Sequence, residues 1–236
     1  MEKIQSRYIY LKKLIKNINL KVQYLYIRLF IRDKFKSQVA LWYAENGNKT
    51  KRLDYPKLNQ ESIVFDLGGY LGDFAFDINQ KYSSKVYLFE PHPEFFEKCC
   101  LRFKNNEDIH VFNYGIGDKD GKLFLSDRLD GSSFENPNHV NKKSIKCEIR
   151  DFLTVIEDLD IQKIDLMKIN IEGDEYKLLN HISKNEKITF TDQYQIQFHN
   201  FVEGAENKRE KIISELKKTH RRTWCYEFLW ENWELV

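Results

Sequence analysis

Scarcity of one residue type narrows the function of this chain first. Its four cysteines (Cys99, Cys100, Cys147 and Cys225) form no C-x-x-C pair and two are adjacent, so they read as reduced thiols of a cytosolic protein, not a disulfide framework. No apolar stretch long enough to span a bilayer occurs. The first apolar run is broken by lysines and lacks a small-residue cleavage site, so no signal peptide is expected. A net charge of +2 over 236 residues neither favours nor excludes nucleic acid for the chain as a whole. That length suggests one domain with an extension, and 42% hydrophobic against 31% charged residues fit a soluble globular protein.

Glycine and proline are both missing before Gly47. In their place Leu11, Ile15, Ile18, Val22, Leu25 and Leu29 recur at steps of four and three, the stripe of an amphipathic helix or helix pair. Residues 1–40 hold ten Lys/Arg and two acids, a surplus of eight positive charges that leaves the remainder of the chain with six negative ones. The stripe is expected to pack on the main domain or on a second copy of the chain. Contact with an anionic membrane surface is an alternative, and a nucleic-acid arm ranks last. The division expected is therefore a basic helical extension over 1–50 and a second domain over 51–236, in a cytoplasmic protein or one peripheral at the inner membrane face.

The second domain is organised around residues 61–93. Ile63 to Phe65 is a short apolar run suited to a strand buried on both faces. Gly68, Gly69 and Gly72 follow, where a strand must turn tightly into a helix bearing Leu71, Phe74, Ala75 and Ile78. Val86 to Phe89 reads as the next strand and ends on Glu90. Glycines let backbone approach a ligand, and a helix start offers free N–H groups. An acid at the tip of the neighbouring strand can accept both hydroxyls of a ribose. These residues describe a nucleoside-cofactor site. The order Asp66-x-Gly68-Gly69-x-x-Gly72 lacks the first glycine of a dinucleotide fingerprint, and no Tyr-x-x-x-Lys pair follows, which speaks against a nicotinamide reductase or epimerase. A carboxylate at Asp66 suits a cofactor with a cationic end, such as S-adenosylmethionine, better than a pyrophosphate.

Further along, a helix is expected from Glu94 to Lys104 with Phe95, Cys99, Leu101 and Phe103 inward, and a strand from Ile109 to Tyr114. Gly115 to Gly121 reads as a loop, in which Asp118 is a candidate for an adenine amino group and equally an ordinary turn residue. Lys122 to Leu125 and Ser144 to Ile149 read as strands, separated by a polar lid-like segment over 127–141. Asp151 is placed to cap the next helix. In Ile164 to Gly173 a strand would set Lys168, Asn170 and Glu172 on one face, near the tips where open α/β sheets bind ligands. Asp174 and Glu175 read as acids favoured by the start of the following helix. Gln193 to Asn200 would place His199 at a strand end on the same side, where it is a candidate catalyst, although a lone histidine is as readily a packed one. The last helix, Glu206 to Lys218, precedes runs Thr223–Leu229 and Trp233–Val236, a hairpin adding an antiparallel edge with its tryptophans as packing.

Asp-Leu-Gly-Gly-Tyr-Leu-Gly (66–72), Phe-Glu-Pro-His-Pro (89–93), Gly-Asp-Lys-Asp-Gly (117–121), Lys-Ile-Asn-Ile-Glu-Gly-Asp-Glu (168–175) and Gln-Phe-His (197–199) together resemble the motifs of FkbM-type S-adenosylmethionine-dependent methyltransferases. The resemblance runs from about Ser62 to His199 and excludes the first 50 residues. It implies a seven-stranded class I methyltransferase sheet, Rossmann-like and mostly parallel, with the N-terminal helices appended. It also implies methyl transfer to hydroxyls of sugars, including cell-surface glycans and their precursors. It implies methionine-end binding at Asp66, Gly68, Gly69, Tyr70 and Gly72 and ribose binding at Glu90, with the reaction near Lys168 to Glu172; Asp73, Pro91 and Asp118 complete our candidate cofactor set. One departure is Asn170, where the family usually has Asp. Asparagine is no general base and only a neutral ligand for a divalent metal, whose presence is left open. We expect His199 as base, Glu172 orienting it or holding the cofactor's ammonium, and Asn170 with Lys168 on the substrate. A non-catalytic cofactor-binding accessory protein, degraded at Asn170, is the alternative.

Overall fold

The computed structural model describes residues 22, 25, 34–125 and 145–236. Most of the N-terminal stripe and the polar segment over 127–141 thus lie outside the described residues. By internal contacts the chain forms two units, one of residues 1–54 with 226–229 and the other of 55–225 with 230–236.

In the first unit, α1 (Lys34–Ala44) is followed by one turn of helix, α2 (Gly47–Thr50). Val22 and Leu25 of the stripe are exposed. Trp42 is buried and meets the ring of Tyr226 edge-on at 5.0 Å, and the Tyr226 hydroxyl donates to the carboxylate of Glu45. A side chain at Gly47 would stand 2.3 Å from the Trp42 ring, so the indole can seat only against glycine.

The second unit is an α/β sheet with a smaller one attached. Its strands are β1 (Ile63–Leu67), β2 (Lys85–Phe89), β3 (Ile109–Phe112), β4 (Gly115–Gly117), β5 (Gly121–Leu125), β6 (Ile145–Asp151), β7 (Leu166–Ile169), β8 (Gln193–Ile196), β9 (His220–Tyr226) and β10 (Trp230–Leu235). Seven of them lie in the order β3-β2-β1-β7-β8-β10-β9. The first five are parallel to one another, and β10 returns antiparallel to β8. Parallel strands buried on both faces need unbroken apolar runs, and Val64, Phe65, Leu67, Leu88, Phe89, Leu166, Met167, Ile169 and Ile196 are all inaccessible to solvent. The helices α3 (Asp73–Tyr82), α4 (Pro93–Phe103), α5 (Phe152–Asp158), α6 (Glu175–Lys184) and α7 (Ala205–Leu216) connect them. The chain runs outward from β1 to β3 and then returns to the other side of β1 at β7, which leaves a switch point between β1 and β7 where such sheets bind ligands. This is the class I methyltransferase sheet with its antiparallel C-terminal hairpin.

Several expectations need correction. Residues 115–121 are not merely a loop: Gly115–Gly117 pairs in parallel with β6, and β5 pairs antiparallel with it, making a separate three-stranded sheet. Leu101 faces solvent at 70% exposure, because α4 buries Phe95, Cys99 and Phe103 along one face, and Leu101 falls on the opposite side of the helix. Both site strands are shorter than their patterns. β7 ends at Ile169, opposite the end of β1, and Glu172 then takes a left-handed φ of 53°. Alternation therefore does not carry Lys168, Asn170 and Glu172 along one strand face. His199 likewise lies in the segment after β8, not at its last residue. Asp151 does cap α5, accepting from the N–H groups of Leu153 at 2.9 Å and Thr154 at 3.1 Å.

Candidate active site

The glycine loop leaves β1 at the switch point. Gly68 and Gly69 donate their N–H groups to the carbonyl of Phe89 at 3.0 and 3.2 Å, tying the loop to the tip of β2. Gly68 has a φ of 77°, and a side chain there would lie 2.0 Å from the carbonyl oxygen of Asn170. At Gly72, where φ is 78° and α3 begins, a side chain would strike Phe103 at 2.5 Å. Close packing of β1 against β7 and of α3 against α4 thus requires glycine at both ends of the loop. Tyr70, between them, is also left-handed at a φ of 52°.

Glu90 sits just past β2, buried, and holds this loop from below. Its Oε2 accepts from the Tyr70 N–H at 2.7 Å and its Oε1 from the His92 N–H at 2.9 Å. Burial pushes its carboxyl up from 4.5 to about 7 despite those two bonds. A carboxylate oxygen accepts more than one bond, so both oxygens keep capacity for a diol. Pro91 is half-buried beside the position a Gly115 side chain would take. Asp118 lies half-buried in the turn after β4. It adds to the upward shift of the Lys177 ammonium in α6, which comes first from that lysine's bond to Asp174. Asp73 is clamped on the outer surface, where Arg102 reaches it at 2.6 Å and the Leu71 carbonyl at 2.7 Å.

Contact geometry changes the role of one residue, Lys168. Asp66 and Lys168 are register partners across β1 and β7 and so share a sheet face. The Lys168 ammonium lies 2.8 Å from Asp66 Oδ1, 2.7 Å from the Gly68 carbonyl and 3.3 Å from that of Leu67, all within the protein. Lys168 is a buried strut under the glycine loop, not a substrate ligand, because its donors are spent there. Asp66, fully buried, is balanced by that ammonium; its Oδ2 accepts no hydrogen bond among the described residues. The Oδ1 of Asn170, beside the same loop, is buried and likewise without a partner among them. Buried acceptors left open on either side of a glycine turn fit a ligand that brings donors, as an aminoacyl ammonium does.

The second half of the site gathers where β7 and β8 end. The His199 ring stands between two carboxylates: Nδ1 lies 3.1 Å from Glu175 Oε1 and Nε2 lies 3.7 Å from Glu172 Oε2. Burial raises the Glu172 carboxyl above its ordinary value, and the negative charge of Glu175 adds to this while His199 opposes it. Glu175 is completely buried and also accepts from the backbone N–H groups of His199 at 2.7 Å and Gly173 at 2.8 Å. In sequence Glu175 reads only as an acid favoured by a helix start. Its signal was available: Glu175 heads the stripe Leu178, Leu179 and Ile182 at helical spacing, which places it on the inward face of α6. Phe201, 58% exposed, lies 5.1 Å from the His199 ring, and the pattern gave no hint of it. Among the described residues no group of three or more His, Cys, Asp or Glu is arranged to hold a metal ion.

A glycine turn at the switch point of this sheet, an acid at the tip of the next strand and open buried acceptors between them define a class I methyltransferase binding S-adenosylmethionine. A family model, the methyltransferase FkbM domain, matches residues 66–229, and the chain belongs to that family. No curated protein matches it. Solved structures that it resembles include an rRNA methylase from Streptococcus thermophilus, at 15% identity over 76% of this chain and 89% of that one with a TM-score of 0.44. Fibrillarin from Aeropyrum pernix, with natively bound S-adenosyl-L-methionine, shares 9% identity over 78% of this chain and 70% of its own at a TM-score of 0.43. The fibrillarin pre-rRNA processing protein of Methanococcus jannaschii shares 12% identity over 86% and 76% at a TM-score of 0.45.

Proposed function

We propose that this chain is an O-methyltransferase acting on a sugar hydroxyl of a cell-surface glycan or its precursor. The observation that carries the reading is the imidazole of His199, held between Glu172 and Glu175 beyond the ends of β7 and β8. When bound, S-adenosylmethionine would supply a methyl group activated by its positive sulfur. What remains for the chain is to align an alcohol oxygen and to take its proton late in the transfer. His199 Nε2 is the acceptor for that proton. Glu172 faces the same nitrogen and steadies the positive charge it gains. Asn170 cannot act as base, and its open Oδ1 serves as a hydrogen-bond acceptor for the ligand's donors. Phe201 offers an apolar face on which the C–H side of a pyranose packs.

Nucleotide sugars are the acceptors we would try first. No helix among the described residues is long and apolar enough to cross a membrane. The basic N-terminal segment is the part we assign to an anionic membrane surface or a second copy of the chain, and flotation with anionic vesicles, with and without residues 1–40, distinguishes these. The activity test is release of S-adenosylhomocysteine with a panel of nucleotide hexoses and capsule-type oligosaccharides. Transfer that disappears in His199→Gln with unchanged cofactor affinity supports the reading. Methylation of RNA or protein in place of every sugar would overturn it.

A further inference from the structure

We infer that Glu175 is the positioning residue of the site: it fixes the tautomer of His199 and shapes the turn that carries Glu172. The inference rests on the proposed role of His199 as base. A carboxylate this deep is costly unless its oxygens are fully used. Here Oε1 takes both the backbone N–H and the ring Nδ1 of His199, and Oε2 takes the N–H of Gly173. A carboxylate only accepts, so the proton of the neutral imidazole is held on Nδ1, and Nε2 is left as the lone-pair nitrogen.

The same carboxylate acts on the other partner. Glu172 and Gly173 carry φ values of 53° and 108°, a strained pair for a turn whose first member has a side chain. Gly173 has Val202 at 2.9 Å and Phe201 at 3.3 Å from where a Cβ would lie, so this turn is packed under the segment bearing His199. Capture of the Gly173 N–H by Glu175 Oε2 holds it there, with Glu172 Oε2 3.7 Å from His199 Nε2. The next residue, Tyr176, completes the clamp by donating its hydroxyl to the His199 carbonyl at 2.8 Å. Two successive residues at the start of α6 therefore hold the base by its ring, its N–H and its carbonyl.

The test reads the ring itself and needs no acceptor. In the full chain labelled with ¹⁵N-histidine, the His199 signal is identified by its loss in His199→Gln, and the tautomer is read from the two ring nitrogens above their titration. The wild type is expected to carry the proton on Nδ1. Glu175→Gln, which keeps an accepting oxygen, is expected to retain most of that preference, whereas Glu175→Ala is expected to give a mixture. Binding of S-adenosylhomocysteine is expected to stay within about threefold in Glu175→Gln, since the glycine loop is untouched. A wild-type proton on Nε2 would overturn the inference, as would a Glu175→Gln spectrum identical to one in which the ring is free. Should Glu175→Ala not fold, the wild-type and Glu175→Gln tautomers decide. The two proposals fail separately: sugar methylation that survives His199→Gln removes the base, while the tautomer assignment to Glu175 stands or falls on the spectra alone.

Discussion

Replacing Glu90 by glutamine separates the cost of this site from its use. With an ordinary value of 4.5 and a folded value near 7, the buried carboxyl keeps a proton that the unfolded chain has already released. The contribution of Glu90 to stability is then greatest at low pH and is lost as pH rises through about 7, because ionising Glu90 is harder in the folded state. The gap between 4.5 and about 7 corresponds to about 3 kcal/mol, of which about 2.5 kcal/mol is expressed between about pH 5 and about pH 8. Glutamine does not ionise, so Glu90→Gln removes this slope. It also leaves one of the Tyr70 and His92 N–H groups facing an amide N–H, at a cost of about 1–3 kcal/mol that is independent of pH. Urea unfolding of the cofactor-free protein at both pH values gives the answer: the wild-type loss minus the variant loss is expected to be about 2.5 kcal/mol. Calorimetry with S-adenosylhomocysteine is expected to show binding about tenfold to a hundredfold weaker in the variant, the loss of a charged acceptor. Parallel stability–pH curves would refute the raised value. Equal affinities would refute Glu90 as the ribose clamp.

Three other perturbations probe separate parts of the site. Gly68→Ala forces a side chain against the Asn170 carbonyl at a left-handed φ, and is expected to cost more than about 2 kcal/mol in urea unfolding and to abolish cofactor binding. Lys168→Met strands Asp66 without its cation and is expected to destabilise by about 3–5 kcal/mol. Adding Asp66→Asn to it is expected to recover a large part of that loss; a double variant as unstable as the sum of the two singles would refute the strut. Phe201→Ala is expected to raise the acceptor KM about tenfold with the cofactor affinity unchanged, the outcome for an aromatic face that packs on sugar and not on the cofactor; an unaltered KM removes Phe201 from the acceptor site.

What was legible in the sequence follows from how far each interaction reaches. The glycine loop and Glu90 could be read because their constraints are local: backbone that must turn within a few residues, and an acid at the tip of a short apolar run. The fold was legible for the same reason, since buried parallel strands show as unbroken apolar runs and the C-terminal hairpin by its short connection. Lys168 was misread because its partner is Asp66, about a hundred residues earlier, and only the β1–β7 register brings the two side by side. The pattern that set Lys168, Asn170 and Glu172 on one face failed at Ile169, where β1 ends and the ladder with it. Alternation describes a residue only while a neighbouring strand holds the backbone extended. Glu175 differs again. Its place on the apolar stripe of α6 was visible, and the reading that an acid suits a helix start was physically sound but incomplete. A helix start that faces solvent explains an acid by the macrodipole alone. One that faces the core must also supply donors for every oxygen, and the donors here belong to His199 and to the turn of Glu172. An acid at the head of an inward stripe is therefore a reason to look for the group it holds.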